Sequence, residues 1–311
     1  MRDSQVEYLK EPSPQALFYS MFTCRTNSVL LMVVASVATL VAATPASANG
    51  PPTLFQWYYE EDSEGGSKLD EPLVTDRPDF TESPVTVGQG VVQLEAGYTF
   101  TTDDSDGLRT NNHSYPESLW RIGVLADWLE FRIVWNYNAE QLRAGGISET
   151  DWGADDLSLG FKIALTEQQG YLPETGVILQ MSVPTGGDAF TSDEVLPGIN
   201  YLYTWDLNEK WALAGSTGVN ADVDDETSDF CSEFNQSLSL GRSWTDKLGS
   251  YTEWYVLAPS GADTNRPQNY FNAGITYLIS DNIQWDIRAG VGLNEAADNF
   301  FAGTGLSVRY W

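Results

Sequence analysis

From Gln89 onward, apolar residues recur at every second position for most of the chain. In "VVQLEAGYTF", Val92, Leu94, Ala96, Tyr98 and Phe100 share one face, while Gln93, Glu95, Gly97 and Thr99 share the other. "WLEFRIVWNYN" sets Leu129, Phe131, Ile133 and Trp135 against Glu130, Arg132, Val134 and Asn136. "LSLGFKIAL" sets Leu157, Leu159, Phe161 and Ile163 against Ser158, Gly160, Lys162 and Ala164. "IQWDIRAGVGLN" sets Ile283, Trp285, Ile287, Ala289 and Val291 against Gln284, Asp286, Arg288 and Gly290. The final "FFAGTGLSVRYW" puts Phe300, Leu306, Val308 and Tyr310 on one face and Phe301, Gly303, Gly305, Ser307 and Arg309 on the other. A period of two is that of a β-strand with unlike faces. Further strands fit at 118–125, 175–183, 197–205, 210–220, 230–242, 250–258 and 269–279, which makes roughly twelve of membrane-spanning length.

The connections also alternate. "TDDSDGLRTNNHSYP", "AEQLRAGGISETDWGADD", "PTGGDAFTSDEVLP", "ADVDDETSD" and "APSGADTNRPQ" are long, whereas "AD", "DLNEK", "TDK" and "SDN" are short. Long loops on one side and tight turns on the other are characteristic of an outer-membrane barrel. Asp and Asn suit the tight turns because their side chains bond the local backbone. Trp128, Trp211 and Trp285 then fall at strand starts, where an aromatic girdle belongs. Soluble barrels and sandwiches alternate too. Charged residues in mid-strand on the polar face, many glycines among them, and aromatics at strand ends favour lipid outside and water inside. The fold predicted is all-β: a transmembrane antiparallel up-and-down β-barrel of about 12 strands, preceded by an N-terminal periplasmic segment.

Ahead of the barrel, Arg25, the apolar run from Val29 to Ala43 and Ala46-Ser47-Ala48 read as a secretory signal, too short for a membrane helix. Residues 1–48 are accordingly predicted as a signal peptide with extra N-terminal residues, within which Met21 is a candidate start. Residues 49–88 form a periplasmic linker or plug segment, and residues 89–311 the barrel. In that scheme both barrel ends lie in the periplasm, and the aromatic terminus, Tyr310 with Trp311, is the insertion signal read by the barrel-assembly machinery. The 311-residue chain carries a formal charge of −28, which excludes nucleic acid as a partner because phosphate would be repelled. Outer-membrane lipid and a small-molecule solute are the other partners expected. Cys24 leaves with the signal, so Cys231 has no intramolecular disulfide partner.

"LVTDRPDFTESPVTVGQGVVQLEAGYTF" resembles the start of the outer-membrane transporter family named for the MetA-pathway of phenol degradation. Its members tend to carry "TDRPDxTESP" leading into "xxQLExGxxY". Here those positions are Thr75, Asp76, Arg77, Pro78, Asp79, Thr81, Glu82, Ser83 and Pro84, then Gln93, Leu94 and Glu95. "SVPTGG" and "FFAGTGLSVRY" are also similar, and the resemblance runs from about residue 73 to 311. It implies an outer-membrane channel or transporter for passive or facilitated passage of small solutes, small organic or aromatic compounds among them.

The strand phases place Glu95, Arg121, Glu130, Arg132, Lys162, Glu253, Asp286, Arg288 and Arg309 in the lumen. Two readings stand side by side: a mixed-sign field that selects solutes, or paired charges that brace the wall. Pro78 and Pro84 exclude "DRPDFTESP" from a central strand, so it caps the mouth or folds inward with Arg77 against a carboxylate such as Glu95. "PTGGDAFTSDEVLP" is a candidate inward-folding loop. Asp222, Asp224 and Glu226 mimic calcium-loop spacing, but Thr227 stands where the turn needs glycine, so they are weak metal candidates. No cofactor is expected. A barrel enzyme of lipase or protease type is the second function class, although the single His113 has no legible serine partner. A closed structural or adhesive barrel is the third.

Overall fold

The computed structural model describes residues 71–105, 107–224 and 227–310. The predicted signal peptide, Glu226 and Trp311 lie outside the described residues. Fifteen strands follow one another: β1 (Val92–Ser105), β2 (Leu108–Ser114), β3 (Ser118–Gly123), β4 (Leu129–Trp135), β5 (Tyr137–Ala144), β6 (Ile147–Ala154), β7 (Leu157–Thr166), β8 (Glu174–Val183), β9 (Leu196–Asn208), β10 (Trp211–Val223), β11 (Phe230–Ser243), β12 (Leu248–Ser260), β13 (Gln268–Ser280), β14 (Ile283–Gly292) and β15 (Phe300–Tyr310). Three pairs are each one interrupted strand: β2 and β3, β4 and β5, β6 and β7. Counted as continuous staves, the barrel is a twelve-stranded antiparallel meander. It closes where β15 pairs with β1, from Val92↔Tyr310 to Thr102↔Phe300.

Two stretches expected as long loops are instead largely strand. β1 and β2 continue as a hairpin as far as the Ser105↔Leu108 pair, and β5 and β6 do the same around Gly145-Gly146. Alternation fails there because these extensions carry polar residues on both faces, as sheet surrounded by water does. The first interruption sits at Pro116, which has no N–H to give the ladder. Tyr115 and Tyr137 exchange backbone bonds of 2.8 and 3.0 Å beside it.

The barrel is apolar outside and polar inside. Lys162 is fully buried while the adjoining Phe161 is 44% exposed, and Asp286 is fully buried while Ile287 is 43% exposed. An inverted wall of this kind is stable only where the exterior solvent is hydrocarbon, and a closed sheet leaves no backbone group unpaired there. Tyr310 is on the outward face. Inside, the side chains pack not around a water column alone but around residues 71–91 of the chain itself.

Candidate functional site

Residues 71–91 run up into the lumen and back. The Arg309 guanidinium donates to the Glu71 carbonyl at 2.7 Å, and Leu73 N–H to Asp281 O at 2.8 Å, both near the β13–β14 turn. The far leg returns to the same end of the barrel. There the Thr86 hydroxyl donates to Asp127 O at 2.5 Å and Gln89 N–H to the Asp127 carboxylate at 2.8 Å. Between these anchors the segment's prolines and small polar residues leave backbone donors and acceptors unpaired by any ladder. The wall satisfies them with side chains.

Asp76 is the centre of the arrangement. Lys162 Nζ lies 2.7 Å from both of its carboxylate oxygens, Arg132 Nη1 2.5 Å from one of them, and Arg121 Nε 3.4 Å. Arg121 also bonds Glu130 at 2.9 Å and Glu95 at 3.1 Å, and Arg132 bonds Glu82. Burial would raise the Asp76 carboxyl. The cations of Arg121, Lys162 and Arg132 outweigh it and hold the group well below the usual carboxylate range. Glu95 accepts the backbone N–H of Asp76 and of Arg77, at 3.1 and 3.0 Å.

Arg77 itself departs from the expected partner. Its guanidinium meets Glu117 at 3.0 Å and Asp286 at 3.5 Å, while only its backbone reaches Glu95. Space for it comes from the wall: a Cβ at Gly97 on β1 or at Gly305 on β15 would collide with this guanidinium. A glycine pair across the closing seam is therefore a socket for one side chain.

Farther up, Glu253 on β12 accepts Phe80 N–H at 2.8 Å, Thr81 N–H at 2.7 Å and the Thr81 hydroxyl at 2.6 Å. Arg288 donates to the Pro78 carbonyl at 2.8 Å, and the Ser239 hydroxyl to Asp79 at 3.1 Å. Burial, then the neighbouring Glu253 charge, push the Asp79 carboxyl well above its ordinary value. Thr75 accepts from Gln284 at 2.8 Å, and Pro84 packs against Gly176. At the tip, the Phe80 ring stacks on Tyr255 at 4.4 Å, Tyr255 on Tyr270 at 4.8 Å, and Tyr270 meets Phe301 edge-on at 6.1 Å. A cavity of about 270 Å³ remains between Arg77, Asp79 and the β10–β13 wall at Trp211, Tyr251 and Thr276.

The lumen-charge residues thus divide into two groups. Glu95, Arg121, Glu130, Arg132 and Lys162 converge on Asp76, whereas Glu253, Asp286, Arg288 and Arg309 hold separate points of the segment. Sequence reasoning missed Glu117, which is in a strand interruption, and the uncharged Asn272 and Gln284. These two were visible in the polar phase, where only charged residues were assigned to the lumen site. The loop of Thr185 to Glu194 is tied to the β6–β7 junction, where Asp156 accepts Thr185, Gly186 and Ser192 N–H at 2.9–3.0 Å. Asp224 accepts from Thr264 N–H and hydroxyl, both at 2.7 Å, and from Asn265 N–H at 3.2 Å, so its oxygens pin a loop. His113 bonds the Tyr98 hydroxyl at 2.7 Å and packs on Phe100.

Among solved structures the chain is similar to the COG4313 outer membrane channel from Pseudomonas putida F1. That match has 15% identity and a TM-score of 0.57, and covers 76% of this chain and all of that one. The two share the fold. The NanC porin is a looser match, at 11% identity and TM-score 0.42 over 70% of this chain and 98% of that one. So is the transport unit of the autotransporter AIDA-I from Escherichia coli, at 10% identity and TM-score 0.46 over 72% and 90%. No curated protein matches the sequence. The family model described as "Putative MetA-pathway of phenol degradation" matches residues 75–310, from the start of the inserted segment through the last strand, and the chain belongs to that family.

Proposed function

We propose that this protein is an outer-membrane channel for passive or facilitated passage of small solutes, held shut at rest by residues 71–91 acting as a plug. The observation that carries the reading is the Asp76 carboxylate, buried among Lys162, Arg132 and Arg121 on the inner wall. The wall's polar face is matched to one particular segment, and that segment is bonded to it through side chains instead of strand pairing. Such a contact is reversible without unfolding the barrel. The apolar exterior and the similarity to a known outer membrane channel support the outer membrane as its location. Both barrel ends then face the periplasm, and Tyr310 serves the barrel-assembly machinery. The Phe80–Tyr255–Tyr270 stack stands at the tip of the segment, where a solute entering from the long-loop side would meet it. Small organic solutes, including aromatic ones, follow from family resemblance.

The test is planar-bilayer conductance with liposome swelling, for the full chain and for a chain lacking residues 73–84. Deletion raises conductance and admits larger solutes if the segment is a plug. Equal conductance for the two chains overturns the gating reading, and a barrel impermeable in both forms is a closed structural one.

A further inference from the structure

A second cavity, of about 290 Å³, opens at the long-loop end, away from residues 71–91. Its lining includes Asp222 on β10, Glu233 on β11, Leu257 and Pro259 on β12, and Arg266 with Gln268 at the start of β13. The loop that carries Arg266 is fixed on both flanks. Asp224 holds Thr264 and Asn265, as described above, and the Pro267 carbonyl accepts the Asn294 side-chain amide at 2.6 Å. The backbone that carries Arg266 is thereby fixed at the cavity rim, although its side chain is exposed.

Arg266 and Glu233 face this one cavity, yet among the described residues neither has an ion pair or a side-chain hydrogen bond. Opposite charges that line a small space without meeting each other are complementary to a molecule carrying both signs. Leu257 and Pro259 add apolar surface to the lining, which suits the carbon chain of such a molecule. The volume is at the lower limit for small-molecule pockets, which suits a solute of few heavy atoms.

We infer that this cavity binds small zwitterionic solutes of the amino-acid class, with Arg266 taking the carboxylate and Glu233, beside Asp222, taking the ammonium. A guanidinium engages a carboxylate through two parallel hydrogen bonds, and an ammonium offers three donors to acids. Equilibrium binding at the mouth requires no open lumen, so the inference stands or falls apart from the channel reading.

The experiment is isothermal titration calorimetry on the full chain folded in detergent micelles. The probes are glycine, β-alanine, γ-aminobutyrate and ε-aminohexanoate, with butyrate and butylammonium as single-charge controls. At least one zwitterion should bind saturably and about tenfold or more tighter than either control, a difference worth about 1.4 kcal/mol. Arg266→Gln should weaken zwitterion and butyrate binding but leave butylammonium unchanged. Glu233→Gln should do the reverse for the two controls. Both side chains sit at the loop end of the barrel, and heat-modifiable gel mobility checks that each variant is folded. Absence of saturable zwitterion binding to the unmodified chain overturns the inference, whatever the variants do. Equal binding of zwitterion and single-charge controls overturns it too, as does zwitterion binding that neither substitution weakens.

Discussion

Replacing Asp76 with Asn keeps the size of the side chain and removes one charge from the centre of the plug contact. Three cations, Arg121, Arg132 and Lys162, there face four carboxylates: the buried Asp76, Glu95 and Glu130, and the partly exposed Glu82. The substitution removes the one carboxylate paired with all three cations, and the only ion-pair partner of Lys162 among the described residues, in a site with almost no solvent access. Removing one partner of a buried ion pair costs about 3–5 kcal/mol. That cost falls on the inserted state alone, because the wall cations are hydrated once the segment withdraws. At 1.4 kcal/mol per decade, the closed-to-open ratio should fall by roughly two to three and a half orders of magnitude. Single-channel recording in a planar bilayer reads this directly as open probability. An Asp76→Asn channel with the closed dwell times of the parent would refute the reasoning, since the ion cluster would then not be what retains the segment. Heat-modifiable mobility of the variant separates a released plug from an unfolded barrel.

Asp79 gives a pH dependence of opposite sense to the usual carboxylate. Its value is raised in the inserted state by burial and Glu253, so its contribution to closure is fully present below the ordinary carboxylate value and is lost as pH rises through the raised one. Open probability should therefore increase with pH, and Asp79→Asn should flatten that profile and keep the channel shut at alkaline pH. Gly97→Val fills the socket for the Arg77 guanidinium, whose atoms are the nearest to a Cβ there, and should raise open probability without shifting the urea midpoint of the barrel. Ile287→Arg places a charge on the outward face at mid-strand and should destabilise the folded barrel by about 2–4 kcal/mol in urea titrations in liposomes. With residues 73–84 deleted, Arg132→Ala combined with Arg288→Ala should shift reversal potentials toward cations; unchanged selectivity would mean that these residues only brace the segment.

The barrel was legible because two strict constraints act on its strands. Lipid and lumen impose a period of two, which is plain at Phe161-Lys162 and Asp286-Ile287 and weaker in β11 and β12, where Gln236 and Thr252 interrupt it. Where only water surrounds the sheet, in β2, β5 and β6, neither face is constrained and the strands looked like loops. The segment at 71–91 was harder for a related reason. Its hydrogen bonds run from individual backbone groups to wall side chains as near as Glu95 and as far as Glu253, and no local periodicity encodes such a pairing. Its prolines indicated an ordered segment without indicating its partners. Arg77 does meet carboxylates, but Asp286 and Glu117 in place of Glu95, whose oxygens are occupied by the backbone of Asp76 and Arg77.

The choice of charges for this contact has a physical reason beyond affinity. A buried ion network does little better than break even against well-packed apolar residues, so a plug needing only to stay inserted would gain from an apolar seat. Residues that hold the plug in the closed state line the passage in the open one, however. An apolar wall would dewet and remain closed to polar solutes after the segment left. Arg121, Arg132 and Lys162 hydrate instead, which lowers the free energy of the open lumen by the same chemistry that retains Asp76 in the closed one. On this argument, replacing all three together with Met and Leu, in a chain that also carries Asp76→Leu, Glu82→Leu, Glu95→Gln and Glu130→Gln so that no carboxylate is stranded, should hold the plug in place yet lower conductance when residues 73–84 are deleted. Conductance equal to that of the simple deletion would show that wall polarity matters only for holding the segment.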